Sequence, residues 1–336
     1  MIDTIYIEDE VRNHPRTRSI LERYKGADIV SCERYTEIFN RRSQNFRIQK
    51  KNPALIIARK HGAKVLPTPE GYGVGGKNNF YFSHMLNCLY DCRYCFLQGM
   101  YRSANYVWFV NYEDFGDEIL KAVKQNQGSG EDSYFFSGYD CDSLAMEDLT
   151  GFVDWAIPFF SQVQGAYLEL RTKSVNLKAL KKHAPMEHCI VAFSLTPDAV
   201  AKKVEHGAPK VESRIKAMSQ LIELGWKVGI RFDPLIQHPN FEASYEGLFR
   251  DVFGALPADR IHSVSFGPMR FPKTMYDRIL KLYPKEKMLH APMENYDGMI
   301  SYGREKEVAI INHCQKALGE HIDTTKFFRC MPGEMP

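Results

Sequence analysis

From about residue 80 onward, short apolar runs alternate with longer segments of helical periodicity. Strands that alternate with helices indicate βαβ units and a parallel sheet. With one more strand before residue 88, the pattern predicts an α/β fold, a partial (β/α)6 TIM-like barrel. Sites on such folds form at the C-terminal ends of the strands, so we expect the chemistry there. The five predicted strands are 134–138, 166–173, 189–196, 227–236 and 260–270.

The two ends of the chain depart from this alternation. Residues 1–78 mix the strand-like runs IYIE and ALIIARK with polar connections, and we predict that they form an N-terminal extension. We assign residues 79–284 to the partial barrel. Residues 285–336 form a C-terminal region that we expect to contact the substrate. It contains a hairpin or loop at HAPMENYDGMISYG, a helix over 304–319 and a short strand at KFFRC.

One Gly-rich segment imitates a phosphate-binding loop. The run GYGVGGKN over 71–78 follows that motif as far as GxxxxGK. However, Asn78 replaces the Ser or Thr that would hold Mg²⁺, and the run NNFYFSHM that follows is not helical. We therefore interpret the segment as a flexible connection and not as a nucleotide site.

Composition and charge set limits on location and partners. The 44% hydrophobic and 25% charged residues are typical of a soluble globular protein. No run approaches the ~20 apolar residues of a membrane span, and the N-terminus lacks a signal peptide. We expect a cytoplasmic monomer without membrane contact. The net charge of +3 does not by itself indicate nucleic acid. One basic run is either a solvated loop or a phosphate-contacting patch: Arg41, Arg42, Arg47, Lys50 and Lys51.

The strongest chemical signal is the motif C-x3-C-x2-C formed by Cys88, Cys92 and Cys95. In a reducing compartment such a group indicates metal binding or catalysis before disulfides. Thiolates bind iron–sulfur clusters, and three close ligands leave the fourth iron of a [4Fe–4S] cluster open. Zinc is the alternative, but only His84 lies nearby and no fourth ligand completes a tetrahedron. Of the other cysteines, Cys32, Cys189 and Cys314 are predicted core thiols, and the place of Cys330 stays open.

This motif resembles the signature of the radical S-adenosylmethionine (SAM) superfamily. The resemblance implies a barrel of the radical SAM type, with a [4Fe–4S] cluster and SAM as cofactors and an electron donor such as flavodoxin or ferredoxin. It also implies the reaction. Electron transfer to SAM releases a 5′-deoxyadenosyl radical, which abstracts a hydrogen atom from the substrate.

Over nearly its whole length the chain resembles the spore photoproduct lyases. The matching segments are CRYCFLQGM, FVNYEDF, Thr172-Lys173 and the run from Phe193 to Asp198, FSLTPD. In that family the matching Lys and Ser help to hold SAM, which implies this role for Lys173 and Ser194. A Lys supplies a point charge for the methionyl carboxylate, and a Ser hydroxyl donates a hydrogen bond to it. Asp142 and Tyr94 are further candidates for contact with the cofactor.

Departures from the family pattern concern the end of the reaction. In the family a Cys returns a hydrogen atom to the thymine radical, and two Tyr near the cluster relay the radical to SAM. Tyr139 occupies the position of that Cys, and Cys141 falls where the family has a SAM-contacting Ser. Tyr94 retains the first relay Tyr, but Phe96 replaces the second, and Phe has no O–H to give up.

Three interpretations of Cys141 remain open. In an extended segment Tyr139 and Cys141 point to the same face, so Cys141 could be a displaced hydrogen donor with Tyr139 beside it. Alternatively, the reaction needs no protein donor, because the product radical of an isomerisation or fragmentation can regain hydrogen from 5′-deoxyadenosine. In the third interpretation, Cys141 is a small buried core residue.

The resemblance implies a lyase or isomerase that takes hydrogen from a thymine-derived pyrimidine in DNA, with C–C cleavage or rearrangement. The alternatives are a radical SAM isomerase or lyase in thymidine hypermodification of DNA, a radical SAM enzyme for a peptide or small molecule, and a non-catalytic iron–sulfur or zinc module. The family's lesion-contacting Arg-Tyr pair matches Ser301-Tyr302. Candidates for stacking on an exposed base are Tyr302, Tyr296 and Phe271.

Overall fold

Two groups of strands and helices follow one another along the chain of this computed structural model, which describes residues 2–329. The first group is β1 (Thr4–Glu8), α1 (Pro15–Arg23), β2 (Asp28–Cys32), α2 (Tyr35–Phe39), α3 (Phe46–Gln49), β3 (Leu55–Ala58), β4 (Val65–Pro67), β5 (Asn78–Phe82), β6 (Met85–Leu86), β7 (Asp91–Cys92), α4 (Leu97–Met100) and β8 (Tyr106–Phe109). The second is α5 (Tyr112–Asn126), β9 (Ser133–Ser137), α6 (Glu147–Thr150), α7 (Phe152–Phe160), β10 (Ala166–Thr172), β11 (Cys189–Ser194), α8 (Asp198–Val204), β12 (Glu205–His206), α9 (Val211–Glu223), β13 (Lys227–Leu235), α10 (Phe241–Ala255), β14 (Ile261–Pro268), β15 (Arg270–Pro272), α11 (Lys273–Leu282), β16 (Glu294–Tyr296), β17 (Met299–Ser301), α12 (Arg304–Gly319) and β18 (Phe327–Arg329).

The main sheet has eight strands in the order β18-β14-β13-β11-β10-β9-β5-β4. Seven are mutually parallel, and the edge strand β4 runs antiparallel to β5. The predicted fold class, an α/β partial barrel, is confirmed. The six predicted strands are present, and β18 and β4 extend the sheet at its two edges.

Helices cover the parallel strands, which explains the burial along them. All six residues of β11 are buried, as expected of a parallel strand with both faces covered. In α9, the buried residues recur every three or four positions: Val211, Arg214, Ala217, Met218, Leu221 and Ile222. This is the stripe of an amphipathic helix that packs on a sheet.

A second sheet, in the order β2-β1-β3-β8-β6, is built mainly from the N-terminal residues. All four residues of its central strand β3 are buried. Strands β6 and β8 come from residues 85–109, within the range assigned to the barrel. The N-terminal sheet therefore crosses the boundary predicted at residue 78, because the chain returns to it around the cysteine motif.

Three helical details differ from the predicted pattern. The run DLTGFVDWAIPFFSQV predicts one helix over 148–163. The structure divides it into α6 and α7 at Gly151, which has φ +55° and donates its N–H to Glu147 O at 2.9 Å. This is a glycine C-cap, and it ends α6 after one turn. The helix expected before Leu180 is only a 3-10 turn at Leu180–Lys182, and α8 was not predicted.

The C-terminal region follows the prediction closely. Helix α12 has the predicted bounds, and β16 and β17 form the predicted hairpin. Asp297 and Gly298 connect them with φ +49° and +82°, the pattern of a type I′ turn, for which Asp-Gly is a favoured pair. The hairpin pairs with β15. Cys330 lies outside the described residues. Within residues 2–329, no helix combines the length and apolarity needed to cross a bilayer.

Candidate active site

The three motif cysteines lie on the loop that follows β5, at the C-terminal end of the parallel strands. Asn87 has φ +68°, and its Nδ2 donates to Ser103 O at 2.8 Å and Asn105 O at 2.7 Å. On the other side, β7 pairs antiparallel with β12, so that Cys92 lies opposite Glu205. The loop is therefore fixed from both sides.

Burial governs the electrostatics of these thiols. It raises the pKa of Cys88 to about 12 and the pKa of Cys92 well above its usual range. The Lys173 ammonium lowers the pKa of Cys92 and of Cys95, but less than burial raises it. Free thiolates are thus disfavoured at this loop, and an iron cluster would supply the positive charge that keeps them ionised.

The spacing of the sulfur atoms bears on which metal the cysteines fit. Ligands of one tetrahedral zinc, each about 2.3 Å from the ion, lie about 3.8 Å apart. Over residues 2–329, the three-residue group of potential ligands whose donor atoms all lie within 4.8 Å of one another is Glu8, Glu10 and His61. The three motif sulfur atoms do not all lie within 4.8 Å of one another, so they are not gathered as ligands of one zinc ion would be.

Lys173 follows β10 directly and reaches the cysteine loop. Its ammonium lies 5.5 Å from the ring centroid of Tyr94. Burial alone would lower the pKa of Lys173, but Cys92 and Glu205 outweigh it and the pKa is raised. A cation is therefore maintained beside the loop.

The Asp142 carboxylate holds the end of β10 in place. Oδ2 accepts from Lys173 N at 2.7 Å. Oδ1 accepts from Thr172 Oγ1 at 2.6 Å, Leu144 N at 3.0 Å and Ala145 N at 2.9 Å. Both oxygens thus bind this chain's own groups. We infer that Asp142 positions Lys173, whereas the sequence suggested direct contact with a cofactor.

A buried charge network lies beneath the loop. The Tyr94 hydroxyl donates to Glu205, and the Arg214 guanidinium forms an ion pair with the same carboxylate. The side chains of Arg214 and Glu205 are 0% and 1% exposed. Burial raises the pKa of Glu205, but Lys173 and Arg214 outweigh it and the net pKa is lowered. Arg214 Nη1 also donates to Ser194 O at 3.1 Å, which ties the end of β11 to the same network.

A family described as spore photoproduct lyase matches residues 1–332 of the chain. The chain belongs to the spore photoproduct lyase family. The spore photoproduct lyase of Bacillus subtilis (strain 168) is 26% identical over an alignment of 337 positions, which covers 95% of this chain and 94% of that relative. The spore photoproduct lyase of Clostridium acetobutylicum is 23% identical over 310 residues, with 90% and 88% covered.

Solved structures of spore photoproduct lyase have the same fold. A Cys-to-Ser variant superimposes with a TM-score of 0.83 at 18% identity, with 99% of each chain covered. A double variant with bound AdoMet and dinucleoside spore photoproduct gives 0.82, also at 18% identity and 99% coverage of each chain. This similarity extends the shared architecture over the whole chain, including the N-terminal sheet.

Two of the positions that depart from the spore photoproduct lyase pattern, Phe96 and Tyr139, lie in contact. The Tyr139 ring is 5.4 Å from the Phe96 ring, centroid to centroid, and 4.4 Å from the Tyr81 ring on its other side. All three rings are partly buried. Gly138 permits the turn that carries Tyr139: it has φ +89°, and a Cβ there would lie 2.8 Å from Arg171 O.

Cys141 is 7% exposed. Residues 139–141 form bends and not the extended segment that was predicted, so alternation along a strand does not place Tyr139 and Cys141 on one face. Met85 N–H donates to the Cys141 sulfur, and Cys88 lies close enough to raise its pKa further, after burial. Cys141 thus faces the cysteine loop.

Of the predicted substrate contacts, only Tyr296 is exposed, at 42%. Ser301 and Tyr302 are each 2% exposed, and Phe271 is 0% exposed. The Ser301 hydroxyl bonds Met269 O at 3.0 Å and Glu307, and the Tyr302 hydroxyl accepts from Gln237 N at 2.8 Å. Neither hydroxyl side chain presents a surface to a base, so their burial does not support a direct substrate role.

The basic run and the remaining cysteines divide between surface and core. Arg41, Arg42, Arg47 and Lys51 are exposed. Lys50, in contrast, donates to Cys88 O at 2.5 Å and so supports the cysteine loop. Cys32, Cys189 and Cys314 are buried, as predicted for core thiols.

The sequence missed Glu205, Arg214 and Tyr81. The strand pair that brings Glu205 to Cys92 is two residues long, too short for any periodicity. Arg214 lies in the buried stripe of α9, where a charged residue is rare unless it is paired. Its place in that apolar pattern is the sequence feature that could have indicated a buried ion pair.

Proposed function

We propose that the chain is a radical SAM lyase of the spore photoproduct lyase type, with a [4Fe–4S] cluster on Cys88, Cys92 and Cys95. The observation that supports this proposal most is one buried network beneath the cysteine loop. Through Glu205 and Arg214, it joins the loop and Lys173 to the end of β11. A cluster with SAM bound supplies a 5′-deoxyadenosyl radical when an electron donor such as flavodoxin or ferredoxin reduces it.

In this proposal the chain's own residues bind and orient SAM. Lys173 offers an ammonium to the methionyl carboxylate, and its backbone is fixed by Asp142. The Ser194 hydroxyl, at the end of β11, offers a second donor. Glu205 and Arg214 neutralise each other and hold Tyr94 under the loop, so that the cation of Lys173 stays available to the ligand.

The proposed substrate is a thymine-derived pyrimidine in DNA. Solved relatives carry a dinucleoside spore photoproduct, which supports the same class of lesion here. The partly buried rings of Tyr81, Phe96 and Tyr139 border the cysteine loop and offer flat faces to a base that has left the helix. Hydrogen abstraction from such a base would start C–C cleavage.

A second candidate is a rearrangement of a thymine base, as in thymidine hypermodification of DNA. Phe96 and Tyr139 support it. The Phe96 ring contacts Tyr139, and because Phe96 has no hydroxyl, it cannot relay a hydrogen atom between Tyr139 and the cysteine loop. If no relay operates, hydrogen returns to the product from 5′-deoxyadenosine, and no thiol is consumed. Isomerase activity would then replace lyase activity.

The test is anaerobic reconstitution with iron and sulfide, followed by reduction with dithionite in the presence of SAM. We expect the wild type to form 5′-deoxyadenosine and Lys173→Met to lose most of that activity while it keeps its iron. Lys316→Met, which removes an exposed cation on α12, serves as the matched control. An iron-loaded wild type that leaves SAM intact would contradict the proposal. Nucleoside mass spectrometry of spore-photoproduct DNA and of thymine DNA then separates repair from rearrangement.

A further inference from the structure

A cavity of about 290 Å³ lies where the N-terminal sheet meets the first strands of the barrel. Its walls come from α2, the residues after β3, the end of β5, the residues after α4 and the turn after β9. The strand ends that border it belong to the C-terminal edges at which the cysteine loop also lies. We call it the Lys60 cavity, and the residues used below are Tyr35, Lys60, Tyr81, Tyr101 and Asp140.

The Lys60 cavity is continuous with the candidate active site. Tyr81 lines the cavity and stacks against Tyr139 with ring centroids 4.4 Å apart. Tyr139 in turn contacts Phe96, which directly follows Cys95. A ligand in the cavity would therefore sit one aromatic layer away from the reacting position.

Three charged side chains line this cavity. Lys64 pairs with Glu118 at 3.1 Å, whereas Lys60 and Asp140 do not pair with each other. Asp140 is 8% exposed; its Oδ2 accepts from Ser83 Oγ at 2.5 Å, and the Tyr101 hydroxyl also donates to this carboxylate. Its Oδ1 has no other hydrogen-bond partner among residues 2–329. Asp140 lines the cavity together with Tyr35, Tyr81, Tyr101 and Lys60. The Lys60 ammonium lies 5.1 Å from the Phe109 ring centroid. Over the described part of the chain it has no carboxylate within 4.0 Å.

The chemistry of the lining selects among ligands. A phosphate would meet the Asp140 carboxylate, so an anion is disfavoured. A neutral group that offers a carbonyl to Lys60 and an N–H to Asp140 would satisfy both charges. Aromatic side chains on several sides favour a planar ring. The volume is at the small end of ligand sites, which measure about 300–1,000 Å³, so it suits one base and not a dinucleotide.

We propose that the Lys60 cavity binds one nucleobase with an imide edge, a carbonyl beside an N–H as in thymine, from the strand that carries the reacting base. The inference rests on the proposed function for the identity of the strand. Lys60 donates to the base carbonyl, Asp140 accepts from the ring N–H, and Tyr81 separates this base from the one at Tyr139. The cavity thereby selects the neighbour of the reacting nucleotide.

The experiment is equilibrium binding by fluorescence anisotropy with cluster-reconstituted protein and no reductant, so that no turnover occurs. The probes are a short oligothymidylate, the same oligomer with N3-methylthymine, and an abasic oligomer of equal length. We expect Lys60→Met and Asp140→Asn each to weaken oligothymidylate binding about tenfold, as for one lost charged hydrogen bond. Binding of the abasic and N3-methyl oligomers should change less than about twofold. Lys316→Met controls for the loss of one positive charge.

Two outcomes would overturn the inference. Equal losses for the abasic oligomer and oligothymidylate would mean that Lys60 acts on phosphates. Unchanged oligothymidylate binding in both variants would mean that no base enters the cavity. Circular dichroism melts show whether each variant is folded, and if one variant does not fold, the other decides the result. Formation of 5′-deoxyadenosine without DNA is measured separately. If the wild type forms none, the proposed function is wrong. If Lys60→Met still forms it, any loss of DNA binding in that variant comes from the cavity and not from the SAM site.

Discussion

The two halves of the candidate site differ in charge, burial and aromatic content. The cofactor half, formed by the cysteine loop, Tyr94, Lys173, Glu205 and Arg214, is charged, buried and cross-linked by hydrogen bonds. The substrate half, formed by Tyr81, Phe96, Tyr139 and the Lys60 cavity, is aromatic and partly open. Paired charges in a dry interior fix one geometry, whereas partly exposed rings accept ligands of varied shape. Under the proposed function, radical generation is then the constrained step, and two of the departures from the family pattern, Phe96 and Tyr139, lie where constraint is weaker.

The largest expected effect is on the cofactor half itself. Cys92→Ala removes one of three proposed cluster ligands, and we expect loss of the visible iron–sulfur absorbance and of nearly all bound iron. Cys314→Ala is the matched control, because Cys314 is also buried but lies on α12. Full iron content in Cys92→Ala would contradict the cluster assignment.

The second prediction concerns the buried ion pair. Arg214→Met leaves the Glu205 charge buried without its partner, and we expect a loss of about 3–5 kcal/mol in the free energy of unfolding measured with urea. Adding Glu205→Gln should restore part of it. Lys202→Met breaks the exposed pair with Asp198 and should cost about 0–1 kcal/mol. Similar costs for the two single variants would mean that the buried pair constrains the cofactor half no more than a surface ion pair would.

A third prediction uses pH. In the barrel interior Arg231 pairs with Glu169 at 2.6 Å. Although burial raises the pKa of Glu169, the charges of Arg231 and Arg171 outweigh it, and the net pKa falls to about 2. Because the folded pKa is depressed, this stabilisation is present above about pH 4.5 and is lost as pH falls toward about 2, by about 3 kcal/mol. Melting temperatures across that range should fall for the wild type, and Glu22→Gln, at an exposed position on α1, should leave the fall unchanged.

The substrate half should respond through its products. If Cys141 is the hydrogen donor, Cys141→Ala keeps SAM cleavage but diverts about 90% of the product radical to misquenched adducts, a tenfold change in partition. Tyr139→Phe has the same effect if the Tyr139 hydroxyl is the donor. Mass spectrometry of the nucleosides measures the ratio of normal product to misquenched adduct for both variants. Normal products from both would support a rearrangement without a protein donor.

The smallest effects belong to the C-terminal region. Tyr302→Phe removes the bond to Gln237 N, and we expect a cost of about 1 kcal/mol in stability with unchanged DNA affinity. Tyr296→Ala, at an exposed ring, should leave stability unchanged and weaken DNA binding by less than about threefold. The reverse pattern would restore Tyr302 as a substrate contact.

Much of the fold was accessible from the sequence, because the parallel strands are apolar runs and their helices are periodic. The five strands predicted after residue 130 lie within two residues of β9, β10, β11, β13 and β14. The division of α6 from α7 was missed because one glycine within an apolar helical pattern gives little warning. The joint N-terminal sheet was missed because β6 has only two residues.

The candidate site was accessible only where residues follow strands. The cysteine loop, Lys173 and Ser194 could be placed together because parallel strands present their C-terminal ends at one edge. Glu205 and Tyr81 could not, since their partners are far away in the chain and no periodic pattern connects them. The burial of Ser301 and Tyr302 depends on how the hairpin packs on β15, which no local pattern encodes.

The pairing of β7 with β12 has a consequence for biogenesis. Tyr94 and Glu205 are 111 positions apart, so the cysteine loop gains its order from a contact of high sequence separation. Contacts of this kind form late in folding, because closing a long chain segment costs conformational entropy before the contact can stabilise the fold. Iron would therefore bind a cysteine loop that the folded barrel has already ordered. A nascent chain that ends before β12 would contain the three cysteines, but the strand that orders their loop would be absent.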